Sequence, residues 1–554
     1  MTHHLGTAAL AERLSRLADV LPASPETARL AIRRSAVVRC PLTVRLPWEE
    51  GLVDWFEARP RMLDWSYFAR PLGDFAPPNG DQRGLYYLQA MAPLTMAEGD
   101  LALVSASAMA GQQALVRDWL DAGLTSTDRL ANTFVVEDLG ERDPSLAGDT
   151  ALAIWHALRQ GGPVPMTPLA DWLTGARHAV SATEFGERIG QRCYTSPMRG
   201  IVHDRLAGLG VAMAVRHRAM DFPGRAAFYP TGSVPTGPVA AGSVPAGSVP
   251  AGLEGLLPTG RLAWRVSEVR SAVRELLGTS QRVYLKAEGI GGTTVLTVRS
   301  GQQADGLIEQ LVAAQRLGMA IGGGRPPATG DELELPIEVA CDVTVGARVV
   351  SHFTVQVRLA DEAGGTEVDF LTAVAKYADG SFSHGSLDGA GRRLIAEQAA
   401  DLAQAAVLAR PPGCELLSLE GFLLESSSGA RIRLVEANLR LAGASQLALV
   451  AHRVAVARGM RTPTRHWVAN LPVRPSEPSS ALVRRLQRVV GSDRAVLVVG
   501  RRHAGEAKVM VVGAAEDAAE LGRGIAAQAA APRAQAAAPP AQAAGAATKP
   551  RTSS

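Results

Sequence analysis

Lysine is almost missing from this chain. Of its 57 lysine and arginine residues only four are lysine: Lys286, Lys376, Lys508 and Lys549. Where arginine is the default cation, a lysine inside an apolar strand marks a need for a compact ammonium on a flexible stem. Cysteine is as scarce. Cys40, Cys193, Cys341 and Cys414 lie far apart with no C-x-x-C pair, so neither a zinc cluster nor a disulfide framework is indicated. No uninterrupted apolar run reaches the ~18 residues of a spanning helix. The opening MTHHLGTAALAERL lacks a basic segment followed by an apolar run and does not read as a signal peptide. The formal net charge is only +3 and the basic residues are scattered, which gives no case for nucleic acid. No Ser/His/Asp or Cys/His arrangement is recognisable. These absences describe a soluble, reduced, cytoplasmic protein without a membrane or nucleic-acid partner.

What is present is enough for large cores. The chain has 554 residues, 47% hydrophobic and 20% charged, which at ~150 residues per domain suggests three or four domains. The periodicity predicts an α/β chain with α+β elements. Residues 10–21 are amphipathic at helical spacing. Residues 100–105 (DLALVS) and 133–138 (TFVVED) read as short buried strands, each followed by a helical pattern, at 112–122 and 150–158. Such alternation predicts a parallel sheet. The acidic stretch after the second strand, 137–143, reads as a solvated turn.

A helix is expected at 200–209 and a strand at 211–215. Residues 229–255, with the near-repeat GSVPTGPVAAGSVPAGSVPAG, form a Gly/Pro-rich surface insertion. A helix is predicted over 261–277. Residues 281–299, QRVYLKAEGIGGTTVLTVR, read as strand, Gly-rich turn and returning strand. A helix at 304–316 and strands at 333–345, 349–359, 367–377 and 383–386 follow. A long helix is predicted over 391–408, a strand at 415–424, a turn at 425–430 and a helix at 446–457. Residues 480–525 repeat a small α/β pattern, and 526–554 are a disordered Ala/Pro-rich tail.

Two stretches carry chemistry. The first is the Gly-rich turn. Gly289, Gly291 and Gly292, with Thr293 and Thr294, can bring backbone N–H groups against phosphate without Cβ hindrance, and Lys286 ends the strand before them. The pattern is neither a P-loop nor a dinucleotide-binding fingerprint. The second is RIRLVEANLRLAG at 431–443. Glu436, Asn438 and Arg440 share one side of a buried strand, away from Val435 and Ala437. An anionic oxygen, an amide oxygen and a guanidinium suit a magnesium-bound polyphosphate.

Together these stretches resemble the ATP-grasp ligases, in particular the peptide-ligase branch of natural-product biosynthesis that carries a pre-ATP-grasp domain. VYLKAEGIGGTTVLTV and LVEANLRLAG, in this order and about 150 residues apart, carry the resemblance, which covers residues 130–455. It implies an ATP-grasp fold over 191–455, an N-terminal pre-ATP-grasp α/β domain over 1–190 and a small α/β region over 456–525. It also implies ATP and Mg2+ as cofactors, carboxylate and amine substrates that are amino acids or peptides, and a homodimer. Residue by residue, Lys286 would contact ATP phosphates and Gly289 to Thr294 would close over them. Glu338, Val339 and Ala340 would receive adenine, and Asp342 the ribose. Glu436 and Asn438 would hold magnesium, Arg440 the γ-phosphate, and Arg199 would be the earlier nucleotide cation. One position departs from the pattern. The further metal carboxylate falls on Gly421, flanked by Glu420 and Glu425, of which Glu420 is preferred. Two other readings stay open: a small-molecule kinase, and a non-catalytic nucleotide-binding or scaffolding protein.

Overall fold

The structure is a computed structural model. It describes residues 41–59, 63–65, 90–137, 163–181, 184, 253, 255–287, 295–321, 330–362, 365–378, 382–410, 415–438, 441–460, 465–474, 476–502, 505–513 and 524–525. The predicted elements at 10–21, 150–158, 200–209 and 211–215 lie outside these residues. So do the tail and nearly all of the Gly/Pro-rich insertion.

The protein is mixed α/β. In chain order its strands are β1 (Leu42–Arg45), β2 (Leu63–Trp65), β3 (Leu101–Ser105), β4 (Thr133–Val136), β5 (Met166–Pro168), β6 (Gly260–Arg265), β7 (Val283–Ala287), β8 (Val295–Val298), β9 (Glu332–Cys341), β10 (Arg348–Glu362), β11 (Gly365–Ala378), β12 (Phe382–Ser386), β13 (Leu416–Ser426), β14 (Gly429–Asn438), β15 (Arg465–Pro472), β16 (Ala495–Arg502) and β17 (Glu506–Gly513). They form three sheets. The largest runs β14-β13-β10-β11-β12-β15-β17-β16, with β1 parallel to β11; the others run β2-β3-β4-β5 and β6-β9-β7-β8.

The first four-stranded sheet is parallel through β2, β3 and β4, as the alternation predicts, and β5 returns antiparallel. β3 and β4 are continuous apolar runs because such strands are covered on both faces. The helix Gln113–Asp121 follows β3 and caps the outer edge of β16. Trp119 Nε1 donates to the Val498 carbonyl at 2.9 Å, and Gln112 Oε1 accepts from Arg501 N at 3.0 Å. This satisfies edge groups that would otherwise invite another strand. Residues from this region and from 465–513 share one core, including Val104, Trp119, Leu471 and Val498.

The strands at 465–513 extend the large sheet rather than forming a sheet of their own. The junction is short: His384 opposes Val468 and Gly385 opposes Trp467. At the other end of the chain β1 and the helix Trp48–Ala58 lie against β11. That helix is pinned to the start of β3 by a fully buried ion pair. Arg59 Nη1 and Nη2 reach Asp100 at 3.0 and 2.6 Å, and the Ala97 N–H donates to the same carboxylate at 2.7 Å.

The small sheet β6-β9-β7-β8 packs on the helices Val266–Leu277 and Gly301–Ile321 through Val269, Val273, Leu285, Ile308, Leu311 and Val339. The single helix expected over 261–277 is strand β6 followed by a helix from Val266. Asp331 fixes the switch: its carbonyl accepts from Val266 N at 2.8 Å and its carboxylate from Ser267 N at 2.7 Å, an N-terminal cap supplied from a distant turn. The helix expected over 391–408 is two, Gly389–Glu397 and Ala399–Ala409, broken at Gln398 with φ −102° and ψ 15°. The break lets both pieces bury apolar faces, among them Ile395, Leu402 and Ala406, on the large sheet.

Candidate functional site

One extra residue in β14 makes the site. Ile432 and Leu434 point into the core at 1% and 0% exposure. Strict alternation would send Glu436 and Asn438 the same way, where an ionised carboxylate is very costly. The ladder prevents this. Glu420 opposes Glu436 and Gly421 opposes Leu434, so Val435 has no opposite number. The bulge at Val435 reverses parity. Ala437 takes the core position, fully buried, and Glu436 and Asn438 turn to the opposite face.

On that face Glu436 meets Glu420, its partner across the ladder, and Asn438 Nδ2 donates to Glu420 Oε1 at 3.2 Å. Glu420 is therefore the carboxylate that joins the site. Glu425 is not: it pairs with Arg348 near the exposed turn of the β13–β14 hairpin. Gly421 could not be. A Cβ there would stand 2.3 Å from the Arg433 carbonyl oxygen and 3.0 Å from Phe353, on the core side.

Lys286 closes the site from the small sheet. Its ammonium donates to the Val435 carbonyl, the bulge residue, at 3.3 Å and lies 3.6 Å from Glu436 Oε2. The two side chains are 15% and 21% exposed, so the pair is only partly screened by water. Lys286 thus links the small sheet to the large one.

The residues expected at adenine and ribose lie on β9 and just beyond it. Glu338 opposes Lys286 across β7 and β9 and is 4% exposed, and its Oε2 has no hydrogen-bond partner among the described residues. Val339 and Ala340 sit in the middle strand. Val339 pairs with Arg261 and Leu285, and Ala340 with Gly260 and Tyr284. Their strand thus has a neighbour along both edges. Asp342 closes a turn, with Thr344 N at 2.9 Å, and pairs with Arg282 at 2.6 Å. Arg199, Gly289, Gly291, Gly292, Thr293 and Arg440 lie outside the described residues.

Three residues join the site that motif reading did not place there. Lys376 on β11 bonds Glu420 Oε2. His352 on β10, opposite Lys376, has Nε2 3.8 Å from the same carboxylate and its ring stacked on Phe422 at 4.8 Å between centroids. Burial, with Lys376 beside it, pushes the His352 pKa down to about 3, so it is neutral at pH 7. Gln356 anchors the chain just beyond the motif strand. Its Oε1 accepts from Ala442 N at 2.9 Å and Ser445 Oγ at 3.0 Å, fixing the entry to the helix Gly443–Ala457. The scarcity of lysine was the one sequence signal for Lys376. His352 and Gln356 sit in an ordinary alternating strand and carry none.

The site face also holds Thr354 and Ser418, whose hydroxyls are buried with no hydrogen-bond partner among the described residues. Buried polar atoms without partners mark a place for ligand or water. A hard divalent cation fits the oxygen donors of Glu436 and Asn438. Among the described residues no group of three or more His, Cys, Asp or Glu could close around a metal.

No protein-family model matches the chain, and no curated protein does. Similar solved structures include an ADP complex of N5-carboxyaminoimidazole ribonucleotide synthetase, 18% identical over 49% of this chain and 66% of that one, TM-score 0.31. Glycinamide-RNase-transformylase T from Mycobacterium tuberculosis is 11% identical over 84% of this chain and 99% of its own, TM-score 0.37. The biotin carboxylase domain of 2-oxoglutarate carboxylase from Hydrogenobacter thermophilus, with MgADP, ADP and bicarbonate, is 13% identical over 47% and 59%, TM-score 0.29. The chain thus spans less than two thirds of the first and third. Likeness at this level carries no weight for function, which rests on the site. No helix among the described residues is long and apolar enough to cross a membrane.

Proposed function

We propose that this chain is an ATP-dependent ligase of the ATP-grasp type that joins a carboxylate to an amine, the substrates being amino acids or peptides. The observation that carries the reading is the reach of Lys286, on the strand before a Gly-rich loop, to Glu436 and the Val435 carbonyl on the facing sheet.

The chemistry follows from the parts. A substrate carboxylate oxygen attacks the γ-phosphorus of ATP; that bond forms as the bond to the β–γ bridging oxygen breaks, releasing ADP and leaving an acyl phosphate. Magnesium, when bound by Glu436 and Asn438, neutralises phosphate charge. Lys286 stabilises the charge that builds up in transfer, and Arg440, two residues beyond Asn438, takes the γ-phosphate. The loop containing Gly289, Gly291, Gly292 and Thr293 covers the intermediate and excludes water. The amine then attacks the acyl carbon, phosphate leaves, and the surplus amine proton passes to solvent. No protein nucleophile is needed. The residues before 190 act as a pre-ATP-grasp region and, with those after Gly443, shape the acid and amine pockets.

Trapping tests this. Protein, ATP and Mg2+ are mixed with pools of amino acids and short peptides, with hydroxylamine as the amine, and hydroxamates are read by mass. A hydroxamate that requires ATP and is lost in Glu436→Gln supports the ligase. A non-catalytic nucleotide-binding protein is the second reading, favoured by the occupation of Glu420 by Lys376. It predicts nucleotide binding with no hydroxamate from any pool.

A further inference from the structure

We infer that this site takes a single divalent cation and that the ammonium of Lys376 supplies the second positive charge, at Glu420. The inference rests on the proposed function and departs from the resemblance, which implies that the further carboxylate, here Glu420, also holds metal.

Both oxygens of Glu420 are used by the protein. Oε1 accepts from Asn438 Nδ2 at 3.2 Å and Oε2 is held by Lys376 Nζ. Glu436, directly across the ladder, has Lys286 at 3.6 Å. Each carboxylate thus has its own lysine, and the four side chains sum to zero charge. Two of the chain's four lysines are spent in this way, in a protein that elsewhere uses arginine. A compact ammonium replaces a small cation beside one carboxylate oxygen more closely than a planar guanidinium does.

Position makes the Lys376 pair persistent. Glu420 and Lys376 are 14% and 19% exposed, so water screens their attraction only partly. Lys376 is placed by two ladders, opposite His352 on one side and His384 on the other. A second dication on Glu420 would have to displace this ammonium and leave it, still charged, in a mostly buried place. His352 does not offer help: its Nε2 is 3.8 Å away. The lysine at Glu436, by contrast, reaches in from the opposite sheet. Lys376 is on this account a positioning residue for charge, acting through Glu420.

The test counts ions. Mn2+ bound to the full chain with a non-hydrolysable ATP analogue is measured by electron paramagnetic resonance, per bound nucleotide. The expected result is one ion in the native chain, one in Glu420→Gln, and two in Lys376→Met, where Glu420 is released. The Glu420→Gln result does not depend on Lys376→Met folding well. Two ions in the native chain would overturn the inference and leave the proposed function standing. So would one ion in a folded Lys376→Met, or loss of the single ion in Glu420→Gln. Nucleotide binding with no Mn2+ at all, or no nucleotide binding, would overturn the proposed function and this inference with it.

Discussion

The Lys286 ammonium lies 3.6 Å from a Glu436 carboxylate oxygen, across the gap between the small sheet and the large one. The two residues are 150 positions apart, and this contact turns two weak motifs into one site. Replacing Lys286 with Ala is expected to lower turnover about 10²–10³-fold, the usual loss when one preorganised charge at a developing anion is removed. Steady-state kinetics and nucleotide affinity measure it; unchanged kinetics would remove Lys286 from the site.

The bulge at Val435 makes a sharper prediction. Inserting one alanine between Glu420 and Gly421 gives Val435 an opposite number, restores simple alternation across the ladder and turns the Glu and Asn of the motif to the core face. Metal-dependent nucleotide binding should vanish and the midpoint of denaturation should fall, because a carboxylate enters an apolar core. Replacement of Val435 by Ala keeps the extra residue and should keep binding. Equal behaviour of the two variants in calorimetry would contradict the role given to the bulge.

The buried pair of Arg59 and Asp100 ties the helix on the large sheet to the four-stranded sheet. Asp100→Ala leaves a guanidinium buried without its carboxylate, and the cost of breaking such a pair is about 3–5 kcal/mol. Urea denaturation reads the change. A shift of a few tenths of a kcal/mol would mean that the pair is not buried in solution.

Acid sensitivity follows from buried histidines. Burial holds His466 at a pKa of about 4, its Nδ1 bonded to Ser386 Oγ at 3.2 Å, and lowers His352 and His384 as well. Between pH about 6.5 and about 4 the unfolded chain binds the proton at His466 and the folded chain does not, so stability falls as pH falls through that window. Melting temperature should therefore drop from pH 7 to pH 5, and less so in His466→Gln. A His466→Gln variant with the native pH slope would show that this histidine is not held neutral.

Much of this was legible in the sequence where one strand or one hairpin decides it. The parallel strands β3 and β4 follow from continuous apolar runs alternating with helical patterns, and the sidedness of Glu436 with Asn438 from a period of two residues. What was not legible depended on partners far along the chain. Ile432 and Leu434 have the same parity as Glu436, and only pairing with β13 reveals the bulge that separates them. The helix at 261–277 loses its first turn to a strand because β9, some 70 residues on, supplies an edge. The two-residue junction of β12 with β15 has no local signature at all. Lys376 was marked by rarity, but its meaning needed Glu420 beside it.

The central claim is that this site activates a carboxylate with ATP for capture by an amine. ADP release by the purified chain with Mg2+, measured with acid alone, amine alone and both together, tests it most directly. ADP should appear in step with an amide product only when both are present, and not at all in Glu436→Gln. ADP formed at the same rate with neither acid nor amine, or a phosphorylated product that no amine consumes, would contradict it.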